Sequence, residues 1–286
     1  MLFKKTLLCM TVALVWGCGS ESEGTGAVSF STWGEDYIEK EIPAATFADG
    51  WTIKYSKFLI VLGDIRVADE TGSVGAQMET TILIDHHMPG VKPIQSFSNL
   101  AAKPWTDVSF ISRPAAANTA LGPGVMAADL TMMKDKGYSV YVEATAENGA
   151  EKKTFQWGFG VSTKYAQCRG DKDGREIDGV LVTNGGTDDV ELTIHGDHFF
   201  YDDLQSPNAL VRFDAIASSD ADADGEITLA ELSQKKLVDI DPSMGGYGTG
   251  ILADVNDLGA FVTALSRTLG HFRGEGECIA SDVGNK

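Results

Sequence analysis

From residue 27 to about residue 198, hydrophobic and polar positions alternate with period two. Examples are Trp51-Ile53-Tyr55, Thr80-Ile82-Ile84, Val108-Phe110-Ser112, Tyr138-Val140-Val142, Phe155-Trp157-Phe159 and Val190-Leu192-Ile194. Strands with one buried face alternate in this way. Turn formers separate the runs at Pro89-Gly90, Gly122-Pro123-Gly124, Asn148-Gly149 and Asn184-Gly185-Gly186. A strand with one apolar face must bury it against a second layer, so residues 27–200 predict a mainly β, sandwich-like domain. Short helices are expected at Glu35 to Glu41 and at Val125 to Lys134.

Beyond residue 200 the period lengthens. Ser206-Pro207 reads as a helix start, with Leu210, Phe213 and Ala217 on one face. A second helix is expected after Asp224-Gly225 with Leu229 and Leu232, and a third over Leu258, Phe261, Val262, Leu265 and Leu269, ending at His271. Residues 201–286 are therefore expected to form a helical segment.

The opening residues follow neither pattern. Lys4 and Lys5 precede an apolar stretch from Thr6 to Val15, then Gly17 and Cys18, as in a secretory signal over residues 1–17. Leu14-Val15-Trp16-Gly17-Cys18 resembles a bacterial lipobox, although Trp16 is bulkier than the usual residue there. Lipidation of Cys18 is the reading adopted; ordinary cleavage is the alternative. Residues 18–26 carry hardly any apolar side chain and are expected to be a tether. The absence of Asp after Cys18 resembles lipoproteins of the outer membrane, which makes a lipid-anchored cell-envelope protein the expectation.

Composition sharpens this picture. At 286 residues the chain is long enough for a substantial core. Its 41 acidic and 23 basic residues give a net charge of −18, so binding to nucleic acid is not expected. Of the four cysteines, Cys9 would leave with the signal and Cys18 would carry lipid, which leaves Cys168 and Cys278. In an oxidising compartment these two read most simply as a disulfide, with a thiolate metal or redox site as the alternative.

Asp220-Ala-Asp222-Ala-Asp224-Gly225-Glu226-Ile227-Thr228-Leu229-Ala230-Glu231 fits the twelve-residue EF-hand loop at each diagnostic position. Calcium requires six to eight oxygens, and Asp220, Asp222 and Asp224 offer carboxylates at alternate positions. Gly225 permits the bend, the Glu226 carbonyl and Thr228 supply further ligands, and Glu231 closes the set with two oxygens. Ile227 stands where paired hands form a β-bridge. The competing readings are an acidic solvated loop or another Asp-rich calcium loop. Asp239 to Gly250 fails as a second hand, because Met244 and Gly250 occupy its sixth and twelfth positions.

Four of the five histidines come in pairs, His86-His87 and His195-Gly196-Asp197-His198, with His271 alone. A bulge at Gly196 would bring His195, Asp197 and His198 together, and imidazoles with a carboxylate suit copper or zinc. The alternative is a set of side chains hydrogen-bonded at strand ends. No nucleophile elbow, phosphate loop, zinc-protease motif or dinucleotide fingerprint occurs, so an enzyme is not expected.

The order of several features resembles the methanobactin-associated periplasmic copper-binding protein family. These are Gly63 to Arg66 continuing a Tyr-containing strand, the Ile84-Asp85 strand end, Met126 to Gly137 leading into Tyr138-Ser-Val-Tyr-Val, Phe155-Gln-Trp157-Gly158 closing at Cys168, and Val190 to Leu204. The resemblance spans about residues 50 to 205. It implies a β-rich envelope protein that holds copper through histidines, for which His195 and His198 are the candidates; in some members a tryptophan is oxidised, a role assigned to no residue here. Most of the family's cysteines are missing, and the calcium loop is additional. Two functions follow: a calcium-binding, lipid-anchored binding or structural module, or a periplasmic copper- or zinc-binding protein with calcium as a structural ion.

Overall fold

The computed structural model describes residues 24–284. The signal at 1–17, the lipidation site Cys18 and most of the tether lie outside these residues. The tether ends earlier than expected, because the first strand, Thr25–Trp33, already includes Thr25 and Gly26. Gly24 and Thr25 carbonyls accept the amides of Ala102 and Gly185, so this stretch is bound into the sheet despite lacking large side chains.

The fold is mainly β, with open sheets. One four-stranded sheet runs in the order Gly270–Phe272, Thr187–Ile194, Thr25–Trp33 and Lys92–Ala101. Thr25–Trp33 lies parallel to Thr187–Ile194 and antiparallel to Lys92–Ala101. A larger sheet has the principal order Glu151–Phe159, Val140–Asn148, Thr52–Ala68, Asp107–Ser112, Thr163–Ala166 and Ile279–Asp282. Each expected alternating run falls in or beside a strand, because each places its apolar set on one face.

A single hydrophobic cluster unites Val28, Phe30, Val190 and Leu192 of the smaller sheet with Phe58, Ile60, Val142 and Trp157 of the larger one. Ala215, Ile216, Ile227, Leu232, Leu258 and Val262 from the later part of the chain join the same cluster. The segments 27–200 and 201–286 thus share one core. The disulfide Cys168–Cys278 ties the last strand of the larger sheet to the main body across a sequence separation of 110. Its presence fits an extracytoplasmic protein. Among the described residues, no helix is long and apolar enough to cross a membrane.

Helices α1 (Glu35–Glu39) and α2 (Ala127–Lys136) lie where expected. The C-terminal segment is less helical than its pattern suggested: α3 is Asp214–Ala217, α4 is Leu229–Gln234 and α5 is Leu258–Leu265. No helix starts at Ser206-Pro207. Instead Val211 pairs in bridges with Phe47 and Tyr201, and the Asp49 carboxylate accepts the amides of Phe213 and Asp214 at 2.6 and 2.8 Å. Those tertiary bonds hold the chain extended up to Phe213 and start α3 only after it. His271 does not end a helix either. It sits in the short strand Gly270–Phe272, opposite Thr193.

Candidate metal centre

The strand Thr187–Ile194 runs directly into a 3₁₀ turn, Gly196–Phe200. In such a turn residues three apart lie over one another, so His195 and His198 come to one side without the expected bulge. Gly196 makes the turn possible at this place: a Cβ there would lie 2.7 Å from the Ile38 side chain of α1 and 2.9 Å from the Tyr55 ring. The Tyr55 hydroxyl donates to the Gly196 carbonyl at 2.6 Å, and the His195 amide donates to the Leu269 carbonyl at 3.0 Å. The turn is therefore clamped from both sides.

His271 completes a triangle. Its ring centroid lies 4.2 Å from that of His195 and 5.0 Å from that of His198, and the His195 and His198 rings are 5.2 Å apart. Ligand atoms of His195, Asp197 and His198 all fall within 4.8 Å of one another. The three residues are buried. His198 Nδ1 lies 2.9 Å from the Thr268 carbonyl, an acceptor that fixes the proton on Nδ1 and leaves Nε2 with its lone pair. The Tyr201 ring lies tilted against His198 with centroids 4.6 Å apart, and its hydroxyl donates to Asp197 Oδ2 at 3.3 Å.

Three buried polar atoms in this cluster have no hydrogen-bond partner among the described residues: His195 Nε2, His271 Nδ1 and Asp197 Oδ1. Such atoms are rare, and each costs about 1–3 kcal/mol when left unpaired. Burial, with the neighbouring imidazoles, lowers the pKa of His198 to about 3 and that of His271 to about 4. Both are therefore neutral lone-pair donors at neutral pH. Burial raises the Asp197 carboxyl, against the opposing pull of His195. A cleft of about 350 Å³ opens onto the cluster and is lined also by Glu35, Tyr37 and Glu275.

His86 and His87 are not part of this arrangement. His86 is fully buried with Nε2 2.8 Å from Thr32 Oγ1, and His87 Nδ1 is 3.1 Å from the Ile38 carbonyl. Each makes a hydrogen bond just beyond the Thr81–Asp85 strand, although His86 Nδ1 is buried without a partner among the described residues. Pairing in the sequence was thus a guide to His195 and His198, whereas the solitary His271 is brought in by the fold.

The aspartate loop lies between α3 and α4. Candidate oxygens of Asp220, Asp222 and Asp224 fall within 4.8 Å of one another, and Gly225 takes φ +88° at the bend. The Asp220 side chain is 1% exposed; its Oδ2 accepts Lys153 Nζ at 2.7 Å, and its Oδ1 is buried without a partner. Asp224 Oδ1 accepts the Glu226 amide at 2.7 Å. Glu231 reaches back: Oε1 accepts the Ala221 amide and Oε2 the Thr228 amide, both at 2.9 Å. Thr228 and Glu231 form a capping box that starts α4. Lys153 holds the Asp220 carboxyl below the usual range, and hydrogen bonds from Thr228 do the same for Glu231.

The pairing position is met inside the protein. Glu226 bridges in parallel to Thr154 of the Glu151–Phe159 strand, the Thr154 amide donates to Gly225, and the Ile227 amide donates to Thr154. Trp157 Nε1 donates to the Ile227 carbonyl at 2.9 Å. The loop thus rests on the edge strand of the larger sheet. The flanking helices are short, four residues before the loop and six after it.

No protein family model matches the chain, and neither does any curated protein. Among solved structures, MbnP from Methylosinus trichosporium is similar over 62% of this chain and 77% of its own, at 11% identity and a TM-score of 0.31.

Proposed function

We propose that the protein is a metal-binding protein of the cell envelope, holding copper or zinc at His195, His198 and His271 with Asp197 as a carboxylate ligand. The observation that carries this reading is the grouping of ligand atoms of His195, Asp197 and His198 within 4.8 Å of one another beside the His271 ring, with His195 Nε2, His271 Nδ1 and Asp197 Oδ1 buried and unpaired. Imidazole nitrogens suit copper and zinc, and a bound ion would give partners to atoms that are otherwise buried and unpaired. The Thr268 carbonyl supports His198 in the way outer hydrogen bonds orient ligating histidines. The role is binding rather than catalysis, with attachment to the membrane through lipid on Cys18.

Metal analysis after dialysis tests this. Wild-type protein is expected to retain near-stoichiometric copper or zinc, and His195→Ala combined with His198→Ala to lose it. Wild-type protein that retains neither metal defeats the reading.

The second reading is calcium at Asp220, Asp222, Asp224, the Glu226 carbonyl, Thr228 and Glu231, as a structural ion. The buried, unpaired Asp220 Oδ1 favours it. Extracellular modules of this kind bind at about 0.1–1 mM, so the ion would stabilise rather than signal. A melting temperature that rises with calcium, and no longer does so in Glu231→Gln, is the expected result; an unchanged wild-type melting curve in chelator overturns it.

A further inference from the structure

His195 has a second neighbourhood. Its Nδ1 lies 3.5 Å from Glu35 Oε2, and ligand atoms of Glu35, His195 and Glu275 all fall within 4.8 Å of one another. The other nitrogen, Nε2, is the buried atom without a partner, and the His195 ring centroid lies 4.2 and 5.2 Å from those of His271 and His198. The two nitrogens of an imidazole face different directions, so one ring can serve both groups.

The two glutamates are placed by structure. Glu35 opens α1 with φ +54°, a left-handed conformation that is uncommon for a residue with a side chain. Glu275 stands on the turn between Phe272 and Gly276, which bond amide to carbonyl at 3.0 Å. Thr193 Oγ1 donates to the Gly274 carbonyl, and Arg273 donates to the fully buried carboxylate of Asp188 at 2.7 Å, so the turn is anchored at two further points. Among the described residues neither glutamate has a Lys or Arg ion-pair partner, and Glu35, Asp197 and Glu275 repel one another. A cation between Glu35 and Glu275 would relieve that repulsion.

We propose that His195 is shared between two adjacent divalent-cation positions, an inner one with His198, His271 and Asp197 and an outer one with Glu35 and Glu275. The centre then takes two zinc or copper(II) ions. This rests on the metal-binding reading above. Coordination through both nitrogens requires the His195 ring to give up its N–H proton, which passes to water, and two adjacent dications favour that loss.

Zinc titration of the full protein in excess calcium, which occupies the aspartate loop, reads the stoichiometry. The wild type is expected to bind two zinc ions, and Glu35→Gln combined with Glu275→Gln to bind one, that inner ion being held about 10–100-fold more weakly because Glu35 also supports the His195 ring. Loaded with copper(II), the wild type should give an exchange-coupled paramagnetic spectrum and the double variant that of an isolated ion. A wild type that binds one zinc ion overturns the proposal and leaves the metal-binding reading standing. A double variant that still binds two ions overturns it as well. A wild type that binds none overturns both.

Discussion

The histidine centre and the aspartate loop gather metal-type ligands by opposite routes. The loop draws its ligands from twelve consecutive residues, and its geometry is set by local turns, with Gly225 at φ +88° and the Thr228–Glu231 capping box. The centre draws on a 3₁₀ turn, a separate strand and a carbonyl at Thr268, and depends on sheet register to bring His271 opposite Thr193. A site of consecutive ligands needs its own stretch of chain and the one strand, Glu151–Phe159, on which it rests. A long-range site needs the whole sheet, and should fail first when tertiary structure is loosened.

Removing the disulfide tests this contrast most strongly. Cys168→Ala with Cys278→Ala is expected to cost about 4–5 kcal/mol in denaturant titration, from the loop-closure entropy of the unfolded chain. Copper or zinc retention should fall in that variant while the calcium-induced shift in melting temperature persists. Equal loss of both would erase the distinction.

Calcium acts on the other side. At a hundred times its dissociation constant, calcium should stabilise the protein by about 2.7 kcal/mol, read as a shift in the denaturation midpoint. Histidine-site affinity should stay the same with and without calcium. A coupled change would show that the Thr154 bridge and Trp157 transmit more than support.

Acid should weaken the metal-free protein through its buried histidines. His198 and His271 titrate near 3 and 4 in the folded protein, and His86 near 3 because burial and Lys92 disfavour its charge. The unfolded chain protonates its histidines near pH 6.5, so stability is complete above that value. It falls as pH drops, by up to about 1.4 kcal/mol per pH unit for each histidine. The raised carboxyls of Glu35 and Asp197 act in the opposite sense and flatten the lower end. Denaturant titration between pH 7 and 4.5 in chelator measures the slope, and a pH-independent midpoint would contradict the burial of these rings. Saturating the centre with zinc should steepen the loss, because acid then also displaces the ion.

The smallest effect is expected at Lys153, whose ammonium pairs with Asp220. Lys153→Met removes a competitor for one calcium ligand and should tighten calcium binding several-fold, on the order of 1 kcal/mol. Calorimetric titration checks it; weaker binding would mean that the ammonium organises the loop instead.

The same contrast explains what the sequence discloses. Period two marked the strands because each is half buried, and the aspartate spacing marked the loop because its ligands are consecutive. Leu210 and Phe213 looked helical by spacing, yet bonds from Phe213 to Asp49 and bridges of Val211 to Phe47 and Tyr201 keep that stretch extended. Two of those partners, Phe47 and Asp49, lie far away in the chain. His271 occupies a strand of three residues, too short for any period to register, and nothing local connects it with His195. Glu35 and Glu275 likewise stand among 41 acidic residues with no local mark of their own.

The placement of His271 and Cys278 late in the chain has a temporal consequence. Synthesised or exported from its N-terminus, the polypeptide presents Asp220 to Glu231 as a finished string of ligands well before His271 emerges. On the proposed calcium reading, the aspartate loop can therefore meet the ion during emergence. The histidine triangle is completed only when the closing strands enter their sheets and Cys278 reaches Cys168. Loading of that centre would then report a finished protein, and an unfinished one would offer copper or zinc only scattered imidazoles.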